Sequence, residues 1–412
     1  MGDAARRAAE RVARDSYGRL VAFLAARSRD VAGAEDALAE AFASALKSWP
    51  EDGVPSNPDA WLLTVARRRQ TDAARRRHTR IAGEVHIQLM TEELEEASAH
   101  PDAIPDRRLA LMFACAHPDI EAGMRAPLIL QTILGLTAID IAAAFLIPPA
   151  TMGQRLVRAK ARIKEAGTPF AIPEREDLAE RLDAVLDAIY AAYAKGWTEI
   201  GDTAAERLAD EAIWLGRLVV SLLPDEAEAK GMLALMLYAE ARRGARRDAT
   251  GAYVPLEVQD IELWDEPQVL AAEALLREAN GAPGPTGRFQ IEAAIQSAHV
   301  ARRVTGRGNW DSVVALYDVL VSLTRSPVAL LNRAAALAET DGAEAALASL
   351  DAIADDKRMA DYQPYWAVRG HLAARAGRKA EAHEALTLAI GLATDEAVRH
   401  YLIGQRTALQ DG

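Results

Sequence analysis

The chain of 412 residues has one cysteine, Cys115. An intrachain disulfide and a multi-cysteine zinc site are thereby excluded, and a reducing compartment is expected. Aromatic residues make up only 5% of the sequence, while apolar residues, led by alanine and leucine, reach 50%. That balance suits tightly packed helices better than sandwiches or barrels, so the expected fold class is all-α. No stretch of about 18 apolar residues lacks charge, and the N-terminus MGDAARRAAERVARD has no signal-peptide core. Gly2 does not open a myristoylation signal, because Arg6 stands where Ser or Thr is needed. A cytoplasmic protein with no membrane anchor is expected. A Gly-rich phosphate loop and a nucleophile elbow are also missing, so neither a cofactor nor an enzymatic activity is expected.

The net charge of −12 would exclude a nucleic-acid partner if it were spread evenly. Residues 1–170 carry 23 Lys+Arg against 22 Asp+Glu, whereas residues 171–412 carry 25 against 38. The acid lies in the second half. The positive charge of the first half is gathered into Arg67 to Arg80 and Arg155 to Lys164, and such local patches decide phosphate binding.

Residues 5–47 read as two helices, with Tyr17, Leu20, Val21 and Leu24 on one apolar stripe and Ala34, Leu38, Ala41, Phe42 and Ala45 on the next, broken at Asp30 to Gly33. SWPEDGVPSNPD at 48–59 reads as a loop, after which Asp59 caps a helix from Ala60 to about Arg77. Residues 81–106, with Glu92, Glu93, Glu95 and Glu96, read as an acidic linker. A second helical module spans 107–166, and TPFAIPERE at 167–176 separates it from a string of amphipathic helices over 177–412. These fall at about 177–196, 203–223, 225–243, 267–279, 289–305, 309–323, 327–340, 342–354, 362–376 and 378–393. At an offset of 36 residues, Arg333, Ala338, Ala346 and Leu350 match Arg369, Ala374, Ala382 and Leu386. Repeat-like hairpins are therefore expected at about 309–393.

GLTAIDIAAAFLIPPATMGQRLVRAKARIK at 135–164 reads as a helix-turn-helix. Thr137 and Asp140 form a capping pair, Phe145 to Ile147 the turn, and Pro149 the first position of the second helix. Ile141, Ala142, Leu146, Leu156, Val157 and Ile163 supply the packed face. Thr151, Gln154, Arg155 and Arg158 then fall on the open face, where arginine bonds guanine edges, and Lys160, Arg162 and Lys164 extend a phosphate track. Gly153 costs roughly 1 kcal/mol in a helix interior, which a close approach to another helix or to DNA would explain.

NPDAWLLTVARRRQTDAARRRHTR at 57–80 is amphipathic, with Trp61, Leu62, Val65 and Ala66 on the apolar face and seven arginines against Asp72 elsewhere. Like charges a turn apart repel, so this face calls for an anionic partner. With Trp49 and Trp61 flanking the loop, the arrangement suits capture of an unstacked base while Arg67, Arg68, Arg69, Arg75, Arg76 and Arg77 hold the strand.

In this order the stretches resemble extracytoplasmic-function sigma factors: residues 1–80, through AEDALAEAF at 34–42 and NPDAWLLTVARRR at 57–69, resemble region 2, and 107–166 resemble region 4. The resemblance implies that Glu35, Asp36 and Glu40 face the clamp of core RNA polymerase, with Phe42 holding that helix in its module. Ala39 stands where the clamp motif frequently has glutamine. It further implies that Trp61 and the arginine helix melt and read the minus-ten element of promoter DNA. Thr151, Gln154, Arg155, Arg158, Lys160 and Arg162 would read minus-thirty-five, and the acidic linker would thread the polymerase channel. LLPDEAEAKGMLALMLYAEARRGAR at 222–246, DATGAYVPLEVQDIELWD at 248–265, GPTGRFQIEAAIQSAHV at 284–300 and SPVALLNRAAALAETDG at 326–342 resemble the subgroup with a tetratricopeptide-like C-terminal extension. By that resemblance the extension regulates activity and meets a protein or ligand partner.

Two constellations invite a catalytic or metal reading: Asp260, Glu262, Asp265 and Glu266 around Trp264, and Gln290, Glu292 and His299 on one helix. The spacing 290, 292, 299 does not put three ligands on one helix face. A structural role is expected, with Phe289, Ile291 and Ile295 in the core and Gln290 bonding nearby backbone. Cys115 and His117 read as a buried thiol and a helix-end histidine. The alternative function is a conventional helix-turn-helix regulator with a ligand- or protein-sensing helical domain; a helical-repeat adaptor with degenerate sigma modules would bind no DNA.

Overall fold

The computed structural model describes residues 31–55, 57–77, 107–166, 173–198, 203–301, 305–306 and 308–411, with residues 9, 12, 17, 20, 21 and 24 from the first stretch. The acidic linker 81–106, most of the first expected helix and the side chains of Arg75, Arg76 and Arg77 lie outside the described residues. The protein is all-α. Among the described residues the extended pairing is confined to one antiparallel bridge between Arg247 and Tyr253. The chain divides into two compact units, 1–195 and 196–412.

In the first unit, α1 (Val31–Asp52) packs on α2 (Pro58–Arg77). Ala34, Leu38, Ala41 and Ala45 recur at three- and four-residue spacing and are buried, as the stripe requires. Phe42 is half-buried and stacks on Tyr17 with ring centroids 6.3 Å apart. Two boundaries differ from the sequence reading. α1, described from Val31, runs on through Trp49 and Pro50 to Asp52. Trp49 continues the stripe by one turn and is 2% exposed, and that burial outweighs the backbone bond lost at Pro50. Gly53, at φ +88°, then donates its N–H to the Trp49 carbonyl at 3.1 Å and ends the helix. The residue capping α2 is Asn57, whose Oδ1 accepts from the Ala60 N–H at 3.1 Å with Pro58 first in the helix, and Asp59 falls within the first turn.

Next come α3 (Arg107–Cys115), α4 (Ala122–Thr132), α5 (Ala138–Ala144) and α6 (Pro149–Ala166), with α4 packed on the other three. α7 (Leu178–Thr198) follows a 3₁₀ turn at Arg175–Asp177. Its Leu178, Leu182, Val185, Leu186, Ile189 and Tyr193 are buried. Up to Lys195 this helix belongs to the first unit, and it is tied there at both ends. Arg181 donates to the Phe113 carbonyl at 3.3 Å, and Lys195 Nζ lies 3.0 Å from Asp140.

The second unit is a succession of antiparallel helices: α8 (Thr203–Leu222), α9 (Ala227–Ala241), α10 (Glu266–Gly281), α11 (Arg288–Val300), α12 (Trp310–Thr324), α13 (Pro327–Thr340), α14 (Ala343–Asp351), the single turn α15 (Lys357–Ala360), α16 (Gln363–Arg375), α17 (Lys379–Leu392) and α18 (Glu396–Asp411). From α8 to α14, and again from α16 to α18, each helix packs on the next, and α9 on α11, α14 on α16 and α16 on α18 besides. Ala346 and Leu350 are fully buried, as are Ala382 and Leu386 at the 36-residue offset. α9, α10 and α11 are joined by an interlock. The Glu228 carboxylate accepts the N–H groups of Phe289 and Gln290 at 2.9 and 3.0 Å, holding the open start of α11. The Gln290 amide accepts from Gly287 N–H at 3.0 Å and donates to the Ala279 carbonyl at 3.2 Å. A Cβ at Gly231 would stand 2.7 Å from the Gln290 backbone nitrogen, so α9 and α11 approach at a distance only glycine permits.

Candidate nucleic-acid interface

The helix-turn-helix is built by its own capping chemistry. Thr137 and Asp140 form a reciprocal capping box, the Thr137 hydroxyl donating to Asp140 Oδ2 at 2.6 Å and the Thr137 N–H donating to the same oxygen at 3.1 Å. Burial pushes the Asp140 carboxyl up, but the bonds from Thr137 and Lys195 outweigh it and hold the group below its ordinary value. Phe145 caps the first helix, Leu146 turns at φ 51°, and α6 starts at Pro149.

Gln154, Arg155, Arg158 and Arg162 are exposed along α6, and Thr151 and Lys160 are half-buried. Arg155, Arg158 and Arg162 line a cleft of about 840 Å³ together with Asp119, Ile120 and Glu121. Arg158 donates to Gln154 at 3.2 Å, and Arg162 lies 3.9 Å from Glu121. The packed face differs from expectation at Val157, which is 69% exposed. Met152 and Leu156, one turn apart, carry the core contact, and Val157 is rotated about 100° from Leu156 onto the open side. A Cβ at Gly153 would meet nothing within 4 Å, so close packing on another helix is not the reason for glycine there.

On α2, Arg68 and Arg69 are exposed, and Trp61 and Arg67 are half-buried. Trp49 and Trp61 do come together, ring centroids 5.5 Å apart and edge to face, but Trp49 is a core residue. Of the two rings, Trp61 is the one that retains access to solvent. Asp36 and Glu40 are exposed on α1, with Glu40 lying 3.5 Å from Arg69. Glu35 is half-buried and forms an ion pair with Lys160 on α6. That pair joins the carboxylate expected at a polymerase clamp to a cation expected on DNA. Beside it, burial first, and then the carboxylates of Glu35 and Asp36, push the Tyr17 hydroxyl up to about 12. Cys115 is wholly buried, and desolvation raises its thiol to about 12, so it is an inert core thiol. Sequence reasoning missed Lys195, Arg181 and Met152. The two cations act on partners some 55 to 70 positions away, and no local pattern carries such a pairing.

The other constellations act as structural supports. Asp260 and Asp265 accept the N–H groups of Glu262 and Gln268, each at 3.0 Å, and so cap short and long helices respectively. Glu292 lies 3.3 Å from Arg288, and His299 meets Trp310 edge to face at 5.4 Å. His117 Nδ1 accepts from the Asp119 N–H at 3.2 Å.

Residues 12–80 match the family Sigma-70 region 2, and residues 181–280 match a family of unknown function, DUF6596. The chain is 38% identical over 377 residues to the uncharacterized protein R00370 of Rhizobium meliloti, covering 90% of this chain and 88% of that one. It is 30% identical over 143 residues to the ECF RNA polymerase sigma factor SigC of Mycobacterium tuberculosis, covering 34% of this chain and 72% of that one. No solved structure matches it.

Proposed function

Because the chain belongs to the family of extracytoplasmic-function RNA polymerase sigma factors, we propose that it binds core RNA polymerase and directs it to two-part promoters. Glu35, Asp36 and Glu40 meet the clamp. Trp61 with Arg67, Arg68, Arg69, Arg75, Arg76 and Arg77 opens and holds the minus-ten element. Thr151, Gln154, Arg155, Arg158, Lys160 and Arg162 contact minus-thirty-five. The reading makes the chain a non-catalytic factor whose partners are polymerase and promoter DNA, with a tetratricopeptide-like C-terminal domain that regulates it. The observation that carries it is the row Gln154, Arg155, Arg158, exposed along the second helix of a capped helix-turn-helix, in a chain that also matches region 2. Such a row suits major-groove edges and phosphates.

Run-off transcription with purified core polymerase and a pool of promoters tests the reading. Specific transcripts that require this protein are expected; their absence, despite sequence-specific duplex binding, would favour the conventional regulator. A shortened chain resolves the role of the second unit, and it has to end at Lys195. A cut near residue 175, which the sequence suggests, would remove α7 and with it Arg181 and Lys195. More transcript from residues 1–195 than from the full chain indicates inhibition, and less indicates a required contact.

A further inference from the structure

The second unit holds a cavity of about 830 Å³ that promoter recognition does not use. Its walls come from α11, α12, α13, α16 and α18, with residues of the segment Tyr253 to Val258 also lining it. That volume lies within the roughly 300–1,000 Å³ of small-molecule sites.

Three features of the lining define what fits. The first is ring chemistry. In a chain poor in aromatics, Tyr253, Trp310, Tyr317 and Tyr401 line this one space with His299 and His371. The rings are already braced against each other, His299 on Trp310 at 5.4 Å and Tyr253 on Tyr401 at 5.3 Å. Such preset faces and edges accept a planar ring at little entropic cost. The second is charge balance. Two guanidiniums, Arg242 and Arg375, face two carboxylates, Glu257 and Glu339, and Arg375 is paired with Glu339. A polyanion would meet both carboxylates, and a pure hydrocarbon would offer no bond to the side-chain amides of Asn332 and Gln405, while Gln296 Oε1 already accepts from Arg242 at 2.7 Å. The third is the small residues between these polar groups. Ala335 and Ala336 on α13 and Ala367 on α16 keep open a space that larger side chains would fill.

We infer that this cavity binds a ring-bearing small molecule without net charge, held between the aromatic walls and hydrogen-bonded through its substituents to the lining amides and guanidiniums. The inference concerns the second unit alone and stands apart from polymerase binding.

Ligand-observed NMR on the full chain tests it with three probe sets: neutral aromatic amides (nicotinamide, benzamide, N-acetyl-L-tryptophanamide), aromatic anions (phthalate, O-phospho-L-tyrosine) and an aliphatic amide (N-acetyl-L-leucinamide). Saturation transfer to the neutral aromatic set is expected, with at least tenfold weaker binding in Ala335→Phe and in Ala367→Phe at unchanged helical content. Gln405→Trp, at an exposed lining position, replaces either variant that loses helix. Transfer to none of the sets, equal transfer to all three, preference for the anions, or neutral-ring binding that survives every filled variant would each overturn the proposal.

Discussion

Arginine does opposite work in the two units. Along α6 and the described part of α2, Arg155, Arg158, Arg162, Arg68 and Arg69 keep their guanidiniums at the surface. In the second unit several arginines are engaged internally instead. Arg246 bonds the Trp197 carbonyl and lies 3.5 Å over the Trp197 ring, Arg243 grips Glu240 through two bonds, and Arg242 donates to Gln296 at 2.7 Å. Arg333, Arg369, Arg375 and Arg378 each bridge to an acid on a neighbouring segment. A run such as ARRGARR at 241–247 therefore resembles the exposed runs of α2 and α6 in composition while serving as internal bracing. The two parts differ in charge balance: residues 171–412 hold 38 Asp+Glu against 25 Lys+Arg, and residues 1–170 hold 22 against 23.

Substitutions that sort stability from affinity would break or sharpen this contrast. Arg246→Ala removes a charge-assisted bond and a largely desolvated stacking contact, and is expected to cost about 3–5 kcal/mol in urea unfolding. If it unfolds like the parent, the bracing role is wrong. Gly231→Ala drives a methyl into the α11 backbone and is expected to cost about 1–3 kcal/mol in the same experiment. Arg155→Ala and Arg158→Ala should do the reverse. Each is expected to weaken promoter binding at fixed salt by about 1–3 kcal/mol while unfolding stays within about 0.5 kcal/mol of the parent.

The Asp140 carboxyl, held below its ordinary value, contributes stability that is complete above the unfolded value of 3.8 and lost as pH falls through the lower folded value. Thermal unfolding between pH 6 and 3 should show that loss, and Asp140→Asn should remove this part of the pH dependence at a cost of about 1 kcal/mol near neutrality. The smallest effect is expected at Cys115, where a thiol reagent at pH 8 should react only as fast as the chain opens.

The sequence made the helical class, most helix positions in the second unit and the capped helix-turn-helix legible, because each rests on local periodicity or on pairs three residues apart. It misplaced the end of α1, where a local signal, Pro50 in a loop-like composition, lost to the burial of Trp49. The last helix, Glu396–Asp411, carries no signal that sets it apart in the sequence reading. On the candidate interface, the exposure of Gln154, Arg155 and Arg158 followed from helical phase, but a one-position error of the same phase put Val157 inside. The ion pair of Glu35 with Lys160 spans 125 positions and could not be read from either motif alone.

The dependence of the helix-turn-helix on α7 has a consequence for the order of events during synthesis. The module's own last helix ends at Ala166, yet the lysine that completes its capping site is Lys195. At a ribosomal rate of roughly 5–20 residues per second, the module emerges and then waits some seconds before that partner arrives. A nascent chain therefore carries α6 before it carries the brace that steadies its neighbour, and only the start of the second unit's translation brings the two together.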